Sequence, residues 1–260
     1  MTPKLALEKR NQMLHEGYCV IDNVINDKFL DELRRETEFL ISQHEETPDM
    51  VYQGQHIDVL RENNKVIDKL LSWKPSLQAL TELGFGDFVS NGKVIILTKE
   101  PKGPPLYWHQ DWVKWDDPLS ASPWPQKIFL NYYLTDTSLE NGCLKVIPGT
   151  HLKRIKLHDQ LVPAHEMGAR HIPENHPIMF SYHPEQIDVN VKAGSLFLGD
   201  ARVLHSARRN QTDERRTLVL AWHARPENSI PDYWNDIVPD VIEKRIPNNT
   251  FSRIPGNYLK

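Results

Sequence analysis

His109, Asp111 and His205 are the residues of this 260-residue chain whose types and spacing suit a metal ion. Two imidazoles and one carboxylate can take one face of an octahedral iron(II) and leave the opposite face open to other ligands. On a strand, residues i and i+2 point the same way, so His109 and Asp111 would aim together into a barrel while Gln110 turned away. The His-x-Asp pair alone says little. With twelve histidines about one such pair is expected by chance, and His56-Ile57-Asp58 is a second. Context favours the later pair. It follows a strand-like run and the turn-forming Gly103-Pro104-Pro105, whereas His56 is read as lying among helices. The segment Gly199-Asp200-Ala201-Arg202-Val203-Leu204-His205 follows a β-prone run and would return a second imidazole to the same barrel mouth. Eleven positions further on, Arg216 enters a strand, where a guanidinium can pair in bidentate fashion with a buried carboxylate. A dicarboxylic co-substrate would need such a cation.

The elements that must position these residues are short strands behind a helical cover. A polar-rich helix is expected to end near Gly17, followed by the apolar run Tyr18-Cys19-Val20-Ile21 and a helix opened by Asn26 or Asp27. That second helix carries Phe29, Leu30, Leu33, Leu40 and Ile41 at roughly helical spacing, so one face should pack inward. Another helix is expected from Pro75 to about Leu83, with Gly84 at its exit. From Lys93 the texture changes to β-prone runs: Val94–Thr98, Ile128–Tyr133, Leu144–Ile147, Ile187–Val191, Ser195–Leu198 and Thr217–Trp222. Short strands without regular helices between them argue for an antiparallel sandwich or jelly-roll barrel. The stretch from Thr150 to Pro184 and the proline-rich tail after Pro226 read as long loops, suited to lids or substrate-contacting insertions.

Three segments in order and spacing resemble the phytanoyl-CoA dioxygenase family. They are Tyr107-Trp108-His109-Gln110-Asp111, then Glu140-Asn141-Gly142-Cys143-Leu144-Lys145-Val146-Ile147-Pro148-Gly149-Thr150-His151, then His205 through Asn210 to Arg216. The run Glu16-Gly17-Tyr18-Cys19-Val20-Ile21 is similar to the opening of that family, and the likeness extends to about residue 225. The resemblance implies a mainly β fold with flanking helices, built on a double-stranded β-helix, a cupin-like jelly roll. Length leaves one domain or two open, and the chain is read as one oxygenase domain over 1–260, with a mainly helical cover at 1–90, a jelly-roll core at 91–225 interrupted by a loop insertion at 150–185, and a C-terminal tail at 226–260. The resemblance also implies an iron(II)- and 2-oxoglutarate-dependent dioxygenase that uses dioxygen and releases succinate and carbon dioxide, most simply a hydroxylase. His109, Asp111 and His205 then match the iron ligands, and Arg216 the partner of the distal carboxylate of 2-oxoglutarate. Asn131 and Ile95 fall where the family has further co-substrate contacts. The position two residues after the second histidine, often Ser or Thr in the family, is Ala207, and Thr98 is the hydroxyl offered in its place. Halogenating relatives replace the metal-binding carboxylate with a small residue, so an intact Asp111 disfavours halogenation.

Composition sets the outer limits. Thirty-one basic against thirty-five acidic residues, with two-fifths of the chain apolar, suggests neither a disordered chain nor a nucleic-acid-binding surface. The early charges leave no signal-peptide run and no later run has membrane-spanning length, so a cytoplasmic location without membrane attachment is the default expectation. The partner expected is a small-molecule substrate, and oligomeric state is not readable. Cys19 and Cys143 read as buried thiols. Trp108, Trp112, Trp115 and Trp124 crowd around the metal motif, either as pocket wall or as core. His223 reads as a hydrogen-bonded core histidine, the six histidines from His151 to His183 as loop residues, and Arg202, Arg208, Arg209 and Arg215 as a solvated basic edge. An isomerase or hydrolase using another divalent metal, and a catalytically silent binding protein, remain open alternatives.

Overall fold

In the computed structural model, capped helices alternate with strands before the chain commits to sheet; residues 1–45, 54–114, 117–162, 172–226 and 230–238 are described. Helix α1 (Pro3–Glu16) opens on the Thr2 side chain, which accepts from Leu5 N, and stops at Gly17, whose φ of 84° favours a residue without Cβ. Strand β1 (Tyr18–Ile21) follows, then α2 (Asp27–Ser42), whose N-cap Asn26 accepts from Phe29 N and whose buried face is Phe29, Leu30, Leu33, Thr37 and Ile41. After β2 (His56–Leu60) come α3 (Lys65–Leu71), capped by Asn64, and α4 (Lys74–Glu82), with a proline in its first turn. The remaining strands are β3 (Val89–Lys99), β4 (Leu106–His109), β5 (Lys127–Tyr133), β6 (Leu144–Val146), β7 (Ile187–Val189), β8 (Leu196–Asp200), β9 (His205–Ala207) and β10 (Arg216–Ala224).

Two antiparallel sheets result, one ordered β1-β8-β5-β10-β3-β2 and the other β4-β9-β6-β7. This is the double-stranded β-helix. Alternation along the larger sheet divides its residues between two cores. Val94, Ile96, Ile128, Leu130, Leu196, Leu198 and Val219 face the helices and join Phe29, Leu33, Ile67 and Leu80. Ile95, Phe129, Tyr133, Phe197, Leu218 and Leu220 face inward and meet Leu144, Val146 and Val189 of the smaller sheet. Burial on both faces accounts for the nearly continuous apolar runs of β5 and β8.

Three expectations need correction. His56 lies on a strand, not among helices: β2 pairs with β3 at the sheet edge, and Lys93 Nζ pairs with Asp58 at 3.1 Å. Helix α3 went unforeseen, because seven residues are too short for a periodic signal. The β4 strand ends at His109, so Asp111 is not its strand-mate. Asp111 is set instead by the loop after β8, where Ala201 O accepts from Asp111 N at 2.9 Å and from Trp112 N at 2.8 Å.

The described part of the tail, 230–238, folds back on the cover. The Tyr233 ring meets Phe85 with centroids 6.1 Å apart and lies under Arg10, while Trp234 meets Trp124 at 5.2 Å. The rest of the tail, 163–171 of the loop insertion and Trp115 lie outside the described residues. Among the described residues, no helix is long and apolar enough to cross a membrane.

Candidate metal centre

Strand β4 delivers His109 at its last residue and β9 delivers His205 at its first, and the two are paired directly across the ladder. Their rings stand 4.1 Å apart, centroid to centroid. Asp111 completes the group, with Oδ1 3.8 Å from His109 Nε2 and Oδ2 3.3 Å from His205 Nε2. One donor atom from each of the three lies within 4.8 Å of the others. The backbone selects the tautomers. His109 Nδ1 is 2.9 Å from Tyr107 O and His205 Nδ1 is 3.1 Å from Val203 O. A carbonyl only accepts, so each Nδ1 carries the proton and each Nε2 keeps a lone pair for a metal. Phe129 stacks on His205 at 4.9 Å and Tyr107 meets His109 edge-on at 5.4 Å, which fixes both rings. Two nitrogens and one carboxylate suit a divalent first-row metal with open positions, as iron(II) requires.

A second cluster lies along the inward faces of β3, β5 and β10. Directly paired residues share a face. Arg216 is therefore side by side with Lys99, Leu218 with Tyr133, and Leu220 with both Ile95 and Asn131. Lys99 and Arg216 are both almost wholly buried. Burial lowers the pKa of each, and the neighbouring guanidinium lowers that of Lys99 further, well below the usual lysine range. Lys99 Nζ donates to Pro104 O at 2.7 Å. Arg216 Nε, Asn131 Oδ1 and Tyr133 Oη are buried without a hydrogen-bond partner among the described residues; the tyrosine hydroxyl lies near the Asn131 side chain but not in bonding geometry. A buried guanidinium beside a buried lysine, with polar atoms left over, suits an anion, whose charge would also favour the protonated lysine. The cluster fits one carboxylate of a dicarboxylate whose other end reaches the metal group.

Of the residues singled out from sequence, His109, Asp111 and His205 come together, and Arg216, Asn131 and Ile95 face the same interior. Thr98 does not. It stands opposite Thr217 on the face turned toward the cover, and its hydroxyl accepts from Gln55 N at 2.8 Å and donates to Glu100 Oε1 at 2.6 Å. Lys99 and Tyr133 were missed, although two-residue periodicity from Ile95 and Asn131 points to both. The tryptophans also separate. Trp108 packs against Ile147, Leu157 and Leu204 and donates to Ser181 O, and Trp124 packs among Ala121, Leu14 and Trp234, so these two are core. Trp112 sits beside Ala201 and Trp222 at the metal side, its Nε1 donating to Ser120 Oγ at 2.8 Å.

Arg202 is not a solvated edge. It is fully buried, clasped to Asp200 at 2.6 Å, and donates to the carbonyls of Ser120, Ser122 and Trp124. Arg208 pairs with Asp188, Arg209 with Glu174, and Arg215 with Glu38 and Glu100. His223 is buried with its pKa pushed down to about 4 by desolvation, but its Nδ1 lacks the expected hydrogen bond. His151 is likewise buried within the fold, held by Leu14 O at 3.0 Å. Cys19 and Cys143 are buried free thiols.

The family model described as phytanoyl-CoA dioxygenase (PhyH) matches residues 14–218, most of the chain. The chain belongs to the PhyH family. A protein of Stutzerimonas stutzeri named a probable alpha-ketoglutarate-dependent hypophosphite dioxygenase is 26% identical over 189 residues, covering 69% of this chain and 56% of that protein. An ectoine dioxygenase of Bordetella parapertussis is 26% identical over 157 residues, covering 55% of this chain and 49% of that protein. The chain thus spans about half the length of the curated relatives it matches. Among solved structures, HygX from Streptomyces hygroscopicus, with nickel and 2-oxoglutarate bound, superposes with a TM-score of 0.67 at 18% identity, covering 84% of this chain and 86% of that one. The carbocyclase SnoK from nogalamycin biosynthesis gives 0.65 at 18% identity, with 98% of each chain covered. These likenesses show a shared fold.

Proposed function

We propose that this protein is an iron(II)- and 2-oxoglutarate-dependent dioxygenase that oxidises a small molecule, most simply by hydroxylation. One observation carries the reading: a His-Asp-His group with its Nε2 lone pairs selected by backbone carbonyls, joined through one barrel interior to the buried cations Arg216 and Lys99. His109, Asp111 and His205 would hold the iron. Arg216 and Lys99 would take the distal carboxylate of 2-oxoglutarate, with Tyr133 supplying the hydroxyl that Ala207 lacks, and Asn131 and Ile95 lining the space between. With dioxygen, iron(II) and 2-oxoglutarate supply an oxidant for a C–H bond, leaving succinate and carbon dioxide.

The chain's own residues do the rest. The guanidinium and ammonium orient the co-substrate by charge-assisted hydrogen bonds. Phe129, Phe197, Leu218 and Leu220 line the inner core and exclude water. Relatives named as ectoine and hypophosphite dioxygenases support a small-molecule substrate. Structural neighbours also include an epimerase and a carbocyclase, and the choice of hydroxylation rests on the intact Asp111 carboxylate and on the family reading.

The test is anaerobic titration of metal-free protein with iron(II) and then 2-oxoglutarate, following the weak visible charge-transfer absorption of a keto acid chelated to iron. A band is expected in the wild type, absent in His109→Ala. In Arg216→Ala about tenfold or more 2-oxoglutarate should be needed to reach it. No band at saturating iron would send the assignment to another divalent metal or to a silent binding protein.

A further inference from the structure

The inward column of β5 runs Lys127, Phe129, Asn131, Tyr133. Phe129 stacks on His205 and so marks the level of the metal group, while Tyr133 is paired with Leu218 near the Arg216 end. One step beyond Phe129, on the side away from Arg216, comes Lys127. Its ammonium sits 4.0 Å from the centroid of the Trp222 ring, and Trp222 in turn meets Phe129 at 5.8 Å and packs with Trp112 and Ala201. Lys127 and Trp222 are both half-buried. The ammonium forms no hydrogen bond or ion pair among the described residues. Its pKa is lowered first by desolvation, with Asp111 acting in the opposite sense and Lys114 adding to the lowering. Among the described residues the Asp111 carboxylate favours the charged ammonium, and a divalent metal drawn to that carboxylate would offset its field there.

The geometry points to Lys127, steadied on Trp222, as the residue that recognises the primary substrate, and to a substrate carrying an oxyanion, a carboxylate or a phosphorus oxyanion, beside the carbon to be oxidised. This rests on the iron and 2-oxoglutarate reading above. If the distal carboxylate of 2-oxoglutarate takes the Arg216 end, the substrate must approach from the other side of the metal, where Lys127 is the half-buried cation on the inward face of β5. Trp222 and Trp112, packed together with Ala201, supply apolar surface beside it, so the anion would be attached to a hydrocarbon body.

The test uses the protein loaded with iron(II) and 2-oxoglutarate without oxygen. It is exposed to a broad panel of small oxyanions, aliphatic, aryl and N-acylamino-acid carboxylates and phosphonates, each beside its uncharged amide or ester, and binding is read as a shift of the charge-transfer band. At least one oxyanion is expected to bind about tenfold or more tightly than its uncharged partner. Lys127→Met should remove that difference and Lys127→Arg restore it, with the concentration of 2-oxoglutarate needed to form the band unchanged. Whether the carboxylate or the phosphonate arm responds identifies the anion. A panel in which no oxyanion shifts the band, in which uncharged partners bind as well, or in which Lys127→Met keeps the preference overturns the proposal and leaves Lys127 as packing on Trp222. Failure of the underlying reading looks different: the wild type then shows no band before any panel member is added.

Discussion

At the scale of single residues, the difference between Thr98 and Tyr133 shows how much a side chain's face matters. Both carry hydroxyls close in sequence to co-substrate candidates, yet Thr98 lies three positions from Ile95 and cannot share its face on a regular strand, whereas Tyr133 lies two from Asn131 and does. Tyr133→Phe is expected to weaken 2-oxoglutarate binding by about three- to tenfold, the loss of one net hydrogen bond, with the fold unchanged. Thr98→Val should do the reverse. Binding should hold, but Gln55 N loses its acceptor in a buried place, at about 1–3 kcal/mol of stability in urea unfolding. If Thr98→Val weakens 2-oxoglutarate binding while remaining as stable as the wild type, the assigned faces are wrong.

At the scale of elements, the metal group depends on a joint between two loops. The turn from β8 to β9 carries Ala201, which sets the backbone of Asp111 and Trp112, and its next residue, Arg202, ties down the carbonyls of Ser120, Ser122 and Trp124. Gln110 also donates to Arg202 O. The Asp200–Arg202 pair is fully buried, and removing one partner strands the other charge in a poor dielectric. Arg202→Met is expected to cost about 3–5 kcal/mol of stability and to loosen iron(II) binding with it, read by urea unfolding and by metal titration. A stable variant with unchanged iron affinity would mean that the loops hold Asp111 without this joint.

At the scale of the whole molecule, buried histidines outside the metal group make the fold sensitive to acid. His151 and His223 are each pushed from 6.5 to about 4, chiefly by desolvation. Below 6.5 the unfolded chain takes up protons that these two refuse in the fold, so the stability they contribute is complete above that pH and is lost as pH falls toward 4. The slope approaches about 1.4 kcal/mol per pH unit for each histidine. The urea midpoint should therefore be flat from these groups above pH 7 and fall between about 6.5 and 5, before most carboxylates titrate. His223→Gln should remove one histidine's share of that slope, His158, also lowered by desolvation, adding to what remains. A midpoint that stays level across the window would show that neither histidine is neutral and buried in solution.

Local signals determined a good part of this protein. Asn26 and Gly17 mark helix ends because caps and left-handed turns are set by a few adjacent residues, and the apolar runs of β5, β8 and β10 announce strands because burial on both faces leaves no polar alternation. His109, Asp111, His205 and Arg216 were legible through their order along the chain. Their arrangement was decided by the tertiary structure alone. Asp111 is aimed by Ala201, ninety positions away, and Lys99 becomes a neighbour of Arg216 only when β3 pairs with β10. Arg202, which composition would leave at the surface, is buried because Asp200 and three carbonyls satisfy it at once. Lys127 meets Trp222 only through the β5–β10 ladder, which brings distant parts of the chain into one register. Such contacts depend on sheet pairing between remote segments, and no window of sequence contains both partners.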